Sequence, residues 1–314
     1  MRIPIAAAAL LLCVHGVSAQ VFPARPVEVV NAFAPGGAND VNVRAMQVVA
    51  ERVLGQPLVQ TFRQGGGGIV GSVDVANAAP DGYKILVVTS GELTAAPNLA
   101  KTSYSLDSFA FIGRISVKPY ALVVKSDASW KNFGEALAAA KSPGGKFTVG
   151  TTPAGGMFLT AQHFIKRGEL PFTTVPYGGA GPALTAVLGG HIDSVWAPLA
   201  AAEGQIRGGG LRALGMSGAT RVKGHDVPTF RELGIEAPWV QWTGFVAPKG
   251  TPNERLAVLR DMLLRIAREP DYLKAADKLG VDVSYATADE FEKQVREEDR
   301  AFKSLVAELG LTPK

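Results

Sequence analysis

The chain has 314 residues, 47% hydrophobic and 19% charged, with a formal net charge of +4 and one cysteine. That apolar content excludes a disordered chain, and basic residues scattered without stripes leave no footprint for nucleic acid. A lone cysteine excludes a disulfide framework and Cys-ligated zinc.

The N-terminus reads as an export leader. Arg2 supplies the positive start, residues 5–14 an apolar core too short to span a bilayer, and Val17-Ser18-Ala19 small residues at the cleavage positions. Cleavage is expected after Ala19, with an uncleaved anchor as the alternative; Leu12 before Cys13 argues against a lipidated cysteine. Loss of the leader removes Arg2 and Cys13, leaves a net charge of +3, and sends a thiol-free soluble product to a bacterial periplasm. A mild positive balance suits anionic small molecules.

Residues 27–33 read as a buried strand and 41–54 as a helix, joined through Phe33-Ala34-Pro35-Gly36-Gly37-Ala38-Asn39-Asp40. Two glycines clear side chains from this turn, and the helix start adds partial positive charge, so it is suited to an anion. Asp40 is expected to favour the helix start and brace the turn. A strand at 58–62, a glycine loop at 65–68, a helix at 71–78 and a strand at 85–89 continue the rhythm of a mostly parallel sheet covered by helices. Strands at 111–115 and 120–125 flank Lys118-Pro119, and a helix at 129–141 begins at a Ser cap. A second βα block follows: strands at 146–150, 174–176, 192–197 and 211–216, helices at 155–167, 181–189 and 201–207. A strand at 240–247 precedes an all-helical end at 253–269, 271–279 and 288–309, the last entered through Thr287-Ala288-Asp289-Glu290.

This order predicts an α/β protein whose chain crosses to a second lobe near 115–125 and returns near 240–247. Residues 20–118 and 243–314 then make one lobe and 119–242 the other, with two crossing strands as a hinge and a cleft between the lobes. Four glycine-rich turns, at 35–40, 65–71, 151–156 and 178–181, each lie between strand and helix and converge on that cleft. Gly66-Gly67-Gly68-Ile69-Val70-Gly71 fits G-x-G-x-x-G, but it follows the second strand of an exported chain, so no nicotinamide cofactor is expected. His163, His191 and His225 lack metal-ligand spacing, and no G-x-S-x-G elbow occurs. No metal, cofactor or catalytic residue is expected. Tyr177 and Trp196 end strands in the second block, where each is either core or cleft wall.

With these residues in place the chain resembles the Bug receptors, the periplasmic solute-binding proteins of tripartite tricarboxylate transporter systems, from Pro26 to about Leu311. The resemblance is carried by Phe33–Gly37 with Asp40, Gly67-Gly68 with Gly71, Ala79-Pro80-Asp81-Gly82-Tyr83, Thr89-Ser90-Gly91 with Pro97, and Val175-Pro176-Tyr177. Pro182-Ala183-Leu184, Leu188-Gly189-Gly190 with Asp193, Asp226-Val227-Pro228-Thr229 and Ala247-Pro248 with Gly250-Thr251-Pro252 complete it. It implies a two-lobed, type-2-like periplasmic binding protein fold that closes over a small carboxylate. One carboxylate group would be gripped by backbone groups and ordered waters at Phe33, Ala34, Pro35, Gly36, Gly37, Asn39 and Asp40. Thr89, Ser90 and Gly91 would join them, as would Thr151, Thr152, Gly155, Gly156, Met157 and Phe158. From the facing loops come Tyr177, Gly178, Gly179 and Ala180, with Trp196 and Ala197 at a strand end. It implies no cofactor, and as partners membrane transporter subunits for a monomeric receptor. A sensor that hands its solute to a signalling protein is the alternative, and a secreted hydrolase using the same cleft is a third reading.

The chain departs from the common family pattern at four places. Phe158-Leu159 stands for Ser-His, Gly178 for Lys, Trp196-Ala197-Pro198 for Phe-Asp-Asn, and Glu92-Leu93 for Thr-His. Most of these exchange a hydrogen-bonding side chain for an apolar one. A ligand polar group left unpaired there would cost about 1–3 kcal/mol, so the expected solute is a carboxylate with an aromatic or otherwise apolar far end.

Overall fold

The computed structural model describes residues 22–33, 35, 37–152, 154–222 and 224–311. The expected leader and its cleavage position lie outside these residues, as do Ala34 and Gly36 of the first turn. No described helix is long and apolar enough to cross a membrane.

The first part of the chain runs β1 (Val27–Asn31), α1 (Ala38–Leu54), β2 (Leu58–Phe62), α2 (Ile69–Ala76) and β3 (Lys84–Val88). A π-helical turn, Gly91–Ala95, then leads into α3 (Ala96–Leu99). The long strand β4 (Phe109–Lys125) enters the second block. That block holds α4 (Phe133–Lys141), β5 (Thr148–Thr151), α5 (Gly156–Arg167), β6 (Thr173–Pro176), α6 (Ala180–Leu188), β7 (Ser194–Pro198), α7 (Leu199–Arg207) and β8 (Leu211–Met216). The chain returns on β9 (Val240–Pro248) and ends with α8 (Asn253–Ile266), α9 (Pro270–Lys278), β10 (Val283–Ala286) and α10 (Ala288–Glu308).

The strands form one mixed, curled sheet in the order β2-β1-β3-β9-β4-β7-β5-β6, with β8 and β10 also on β4. Its outer triplets, β2-β1-β3 and β7-β5-β6, are parallel, as βα alternation requires. They are joined by antiparallel β9 and β4. From Phe109 to Pro119 β4 pairs with β9, and from Tyr120 onward with β7 and β8. Pro119, which has no N–H to offer a ladder, sits where the partner changes. The two strands expected at 111–115 and 120–125 are therefore one continuous strand. Apolar cores lie on either side of this junction, one around Leu122, Phe164, Trp196 and Phe230, the other around Val29, Met46, Phe245 and Leu263.

Other boundaries shift for local reasons. Helix α1 starts at Ala38, three residues before expectation, and its N-cap is Gly37. Helix α4 starts at Phe133 rather than 129, because Asn132, not a serine, caps it: Asn132 Oδ1 accepts from the Glu135 N–H at 3.0 Å. Thr287 and Glu290 form the expected capping box of α10. The C-terminal region is not wholly helical, since β10 pairs antiparallel with β4.

Candidate functional site

A cavity of 790 Å³ opens at the carboxyl ends of β1, β3, β5, β6 and β7, between the two halves of the sheet. Phe33, Pro35, Gly37 and Asn39 line it from the first turn, and Thr89, Ser90 and Gly91 from the end of β3. Across the gap stand Thr152, Gly155, Gly156, Met157, Gly178 and Ala180. Sequence position thus brought these residues together from both halves.

The first turn is shaped by its own strand end. Asn31 is fully buried and its Oδ1 accepts from the Phe33 N–H at 3.0 Å, an Asx-type closure that reverses the chain. The Phe33 ring lies over the glycine loop. Gly68 has φ +100, and a Cβ there would come within 2.9 Å of Glu92 Cγ and 3.3 Å of Phe33 Cζ. The loop therefore needs glycine for packing and backbone conformation, which accounts for a tract that mimics a dinucleotide motif.

Three helices present their N-termini here. Helices α1, α5 and α6 have Gly37, Gly155 and Gly179 as N-caps, and none makes a side-chain capping hydrogen bond. Their first-turn N–H groups have no carbonyl partner within the helix and carry partial positive charge. Among the described lining residues none bears a formal charge. Asn39 Oδ1 and Thr152 Oγ1 have no hydrogen-bond partner among the described residues. At the cavity the halves approach closely at Gly156: a Cβ there would lie 2.6 Å from Ser90 Oγ and 3.5 Å from the Tyr120 hydroxyl.

Beneath this wall lie two buried glutamates. Glu92 Oε2 accepts from Thr89 Oγ1 at 2.5 Å and Oε1 from Asn39 Nδ2 at 2.9 Å, while the Tyr104 hydroxyl donates to the Glu92 carbonyl at 2.5 Å. Burial pushes the Glu92 carboxyl up to about 7, against the lowering effect of Thr89 and Asn39. Glu298 of α10 accepts from Thr94 Oγ1 at 2.6 Å and Trp242 Nε1 at 2.9 Å, and burial likewise raises it to about 7.

Several expected site residues lie elsewhere. Trp196 is 1% exposed in the core, stacked on Tyr120 and Phe164, with Nε1 donating to Thr160 Oγ1 at 3.0 Å. Ala197 is buried beside Ala121, and Tyr177 packs on the same core. Phe158 turns to the other side of α5, against a cluster of Ala95, Leu159, Phe302, Leu305 and Val306. Asp40 sits in the first turn of α1 beside Arg44, 3.3 Å away, and is not on the cavity wall. Thr151 and Gly179 are also off the wall.

Lining residues outside the expected set include Ile69 from α2, Ala96 and Leu99 from α3 with Ala100 just beyond it, and Tyr120 and Gln241 from the two crossing strands. The glycine loop before α2 signalled the first; Gln241, polar within an apolar strand, was the available signal for the hinge. A second cavity of 440 Å³ shares Gly37, Ala38, Ala180, Pro198 and Gln241 with the first and extends past them to Lys118. Lys118 Nζ lies 2.9 Å from Asp282 and 3.8 Å from Glu203, so its charge is already matched.

Comparison with known proteins places this geometry. Residues 42–311 match the family model described as tripartite tricarboxylate transporter family receptor. A UPF0065 protein in the gbd 5′ region of Cupriavidus necator is 30% identical over 99% of this chain and 96% of its own. A solved TctC solute-binding protein from Polaromonas, with no ligand, superposes with TM-score 0.80 at 31% identity, covering 91% of this chain and 99% of that one. MatC from Rhodopseudomonas palustris with bound malate superposes with TM-score 0.77 at 28% identity, covering 91% of this chain and all of that one (100%).

Proposed function

The chain belongs to the tripartite tricarboxylate transporter receptor family, TctC, whose members are solute-binding receptors and not enzymes, and from that premise we propose that it binds a small carboxylate with an apolar remainder in the periplasm. The observation that carries this reading is the convergence of three side-chain-free helix N-termini on one uncharged cavity. Backbone N–H groups and helix dipoles stabilise one carboxylate there without a cationic side chain. A second carboxylate would meet no cation among the described lining residues, and burying an unpaired charge costs several kcal/mol or more (~3). The rest of the wall, Phe33, Ile69, Ala96, Leu99 and Met157, offers apolar contact instead.

The same elements support delivery by closure. The two halves are joined by β4 and β9, touch at Gly156 and Ser90, and enclose the solute from both sides. Transfer to membrane transporter subunits is the role that family membership favours over a sensor. The test is calorimetry on the purified mature protein with benzoate, hexanoate, adipate, malate and citrate. Benzoate or hexanoate should bind at least about tenfold more tightly than citrate, a difference of about 1.4 kcal/mol. Tight citrate binding with no heat from the apolar acids would overturn the reading.

A further inference from the structure

We propose that Glu92 sets whether Thr89 can donate a hydrogen bond into the cavity, so that the solute carboxylate binds together with one proton. The inference rests on the carboxylate reading above and adds a mechanism to it.

The hydrogens available at Thr89 and Glu92 can be counted. Thr89 lines the cavity and has one hydroxyl hydrogen. Its oxygen already accepts the Gly91 N–H at 3.2 Å and lies 2.5 Å from Glu92 Oε2. When Glu92 is ionised it can only accept, so the Thr89 hydrogen is turned inward to it. The solute then meets lone pairs at Thr89 and a buried negative charge behind the wall. When Glu92 is neutral, its own O–H donates to Thr89. The Thr89 hydrogen is then free to point at a carboxylate, and the hydroxyl makes one donor and two acceptor contacts, its full complement. Asn39 Nδ2 serves Glu92 Oε1 in both states. The proton comes from solvent, and no covalent bond changes.

The surroundings leave Glu92 without a counter-charge. Helix α1 faces it with Asn39, the glycine loop with Gly68, and β3 with the Val87 carbonyl that also holds Asn39. Tyr104 is the titratable group in contact with it, and burial and the nearby Glu92 hold that phenol up at about 12, so it stays neutral. Glu298 of α10 reaches the same turn through Thr94, two residues on, and is itself buried. No lysine, arginine or histidine makes an ion pair with Glu92 among the described residues. A fully buried carboxylate so placed is held near neutrality by burial, with its raised value of about 7 in the working range of a proton switch.

The experiment is calorimetry of the mature chain with benzoate, hexanoate and adipate, each in two buffers of different ionisation enthalpy, at pH values of about 6, 7 and 8.5. All three values lie above the ordinary range of the acids' own carboxyl groups. Proton uptake should rise from near zero at the lowest pH to about one per bound acid at the highest, and affinity should fall about tenfold per pH unit above pH 7.5. Glu92→Gln, whose amide can donate to Thr89 and accept from Asn39, should bind without pH dependence and at least about tenfold more tightly than the parent at the highest pH. Binding without proton uptake in the parent, or an unchanged pH slope in Glu92→Gln, would overturn the proposal and leave the carboxylate reading standing. Failure of every acid to bind would overturn that reading and this inference with it. Should the variant not fold, the two-buffer measurement on the parent decides.

Discussion

At the scale of single residues, the site is governed by what is absent from a side chain or hidden beneath one. Gly156 allows α5 to approach Ser90, and Gly156→Ala should wedge the halves apart at that contact. Its φ is not in the left-handed region, so the effect is steric and the fold should persist. We expect solute affinity to fall about tenfold with little change in unfolding free energy, read by calorimetry and denaturant unfolding. The buried glutamates set a pH dependence of stability. Glu92 and Glu298 are both raised from 4.5 to about 7 by burial. Their favourable contribution is fully present below about pH 4.5, where both folded and unfolded chains hold the protons. It is lost as pH rises toward 7, because the unfolded chain ionises first; each group accounts for about 3 kcal/mol of that fall. Denaturant unfolding between about pH 5 and 8 should show the decline, and Glu298→Gln should remove roughly half of it. A variant with the parent's slope would show that Glu298 is ionised in the folded protein.

At the scale of elements, α5 serves two surfaces. Its N-terminus faces the cavity, while Phe158 and Leu159 pack on the Ala95 turn and on Phe302, Leu305 and Val306 of α10. Lys166 pairs with Glu308 at 3.0 Å on the exposed rim, a contact worth about 0–1 kcal/mol. The apolar seam does the holding. Leu159 is 0% exposed, so Leu159→Ala should lower unfolding free energy by about 2–5 kcal/mol. It should also speed amide exchange in α10, as mass spectrometry would detect; unchanged exchange would show that the seam does not bind α10. The existence and order of nearly every element were legible, because apolar periodicity and glycine turns are local signals. The direction of a side chain was not. Phe158 was expected on the cavity wall because it stands where the family resemblance implies a polar residue. Its partners on α10 lie about 140 residues later in the chain, and no local pattern links the two. An aromatic residue at a strand end suits core and wall alike, and the Trp196 indole N–H donates to Thr160 within the core. Strand β10 was not legible because four residues between two helices, paired across a register shift, give too short a pattern.

At the scale of the molecule, the cavity lies where two parallel triplets of strands are turned toward each other by antiparallel β4 and β9. The polarity of the space follows from that topology: strand ends and helix starts gather there, bringing N–H groups rather than cations. On β4, Lys118 is held by Asp282 from one half and Glu203 from the other, a pairing that spans the junction and occupies the cation. A carboxylate thus has two places to bind, the helix starts around Gly37, Ala38 and Ala180, and the ammonium of Lys118. A crystal structure of the protein with the tightest-binding acid of the panel decides between them. The carboxylate should lie within about 2.7–3.2 Å of backbone N–H groups in the first turn of α1 or α6, or of the Thr89 or Ser90 hydroxyl, with its apolar part toward Ile69 and Leu99. A carboxylate paired with Lys118 in the rear cavity, with Asp282 displaced, would contradict it.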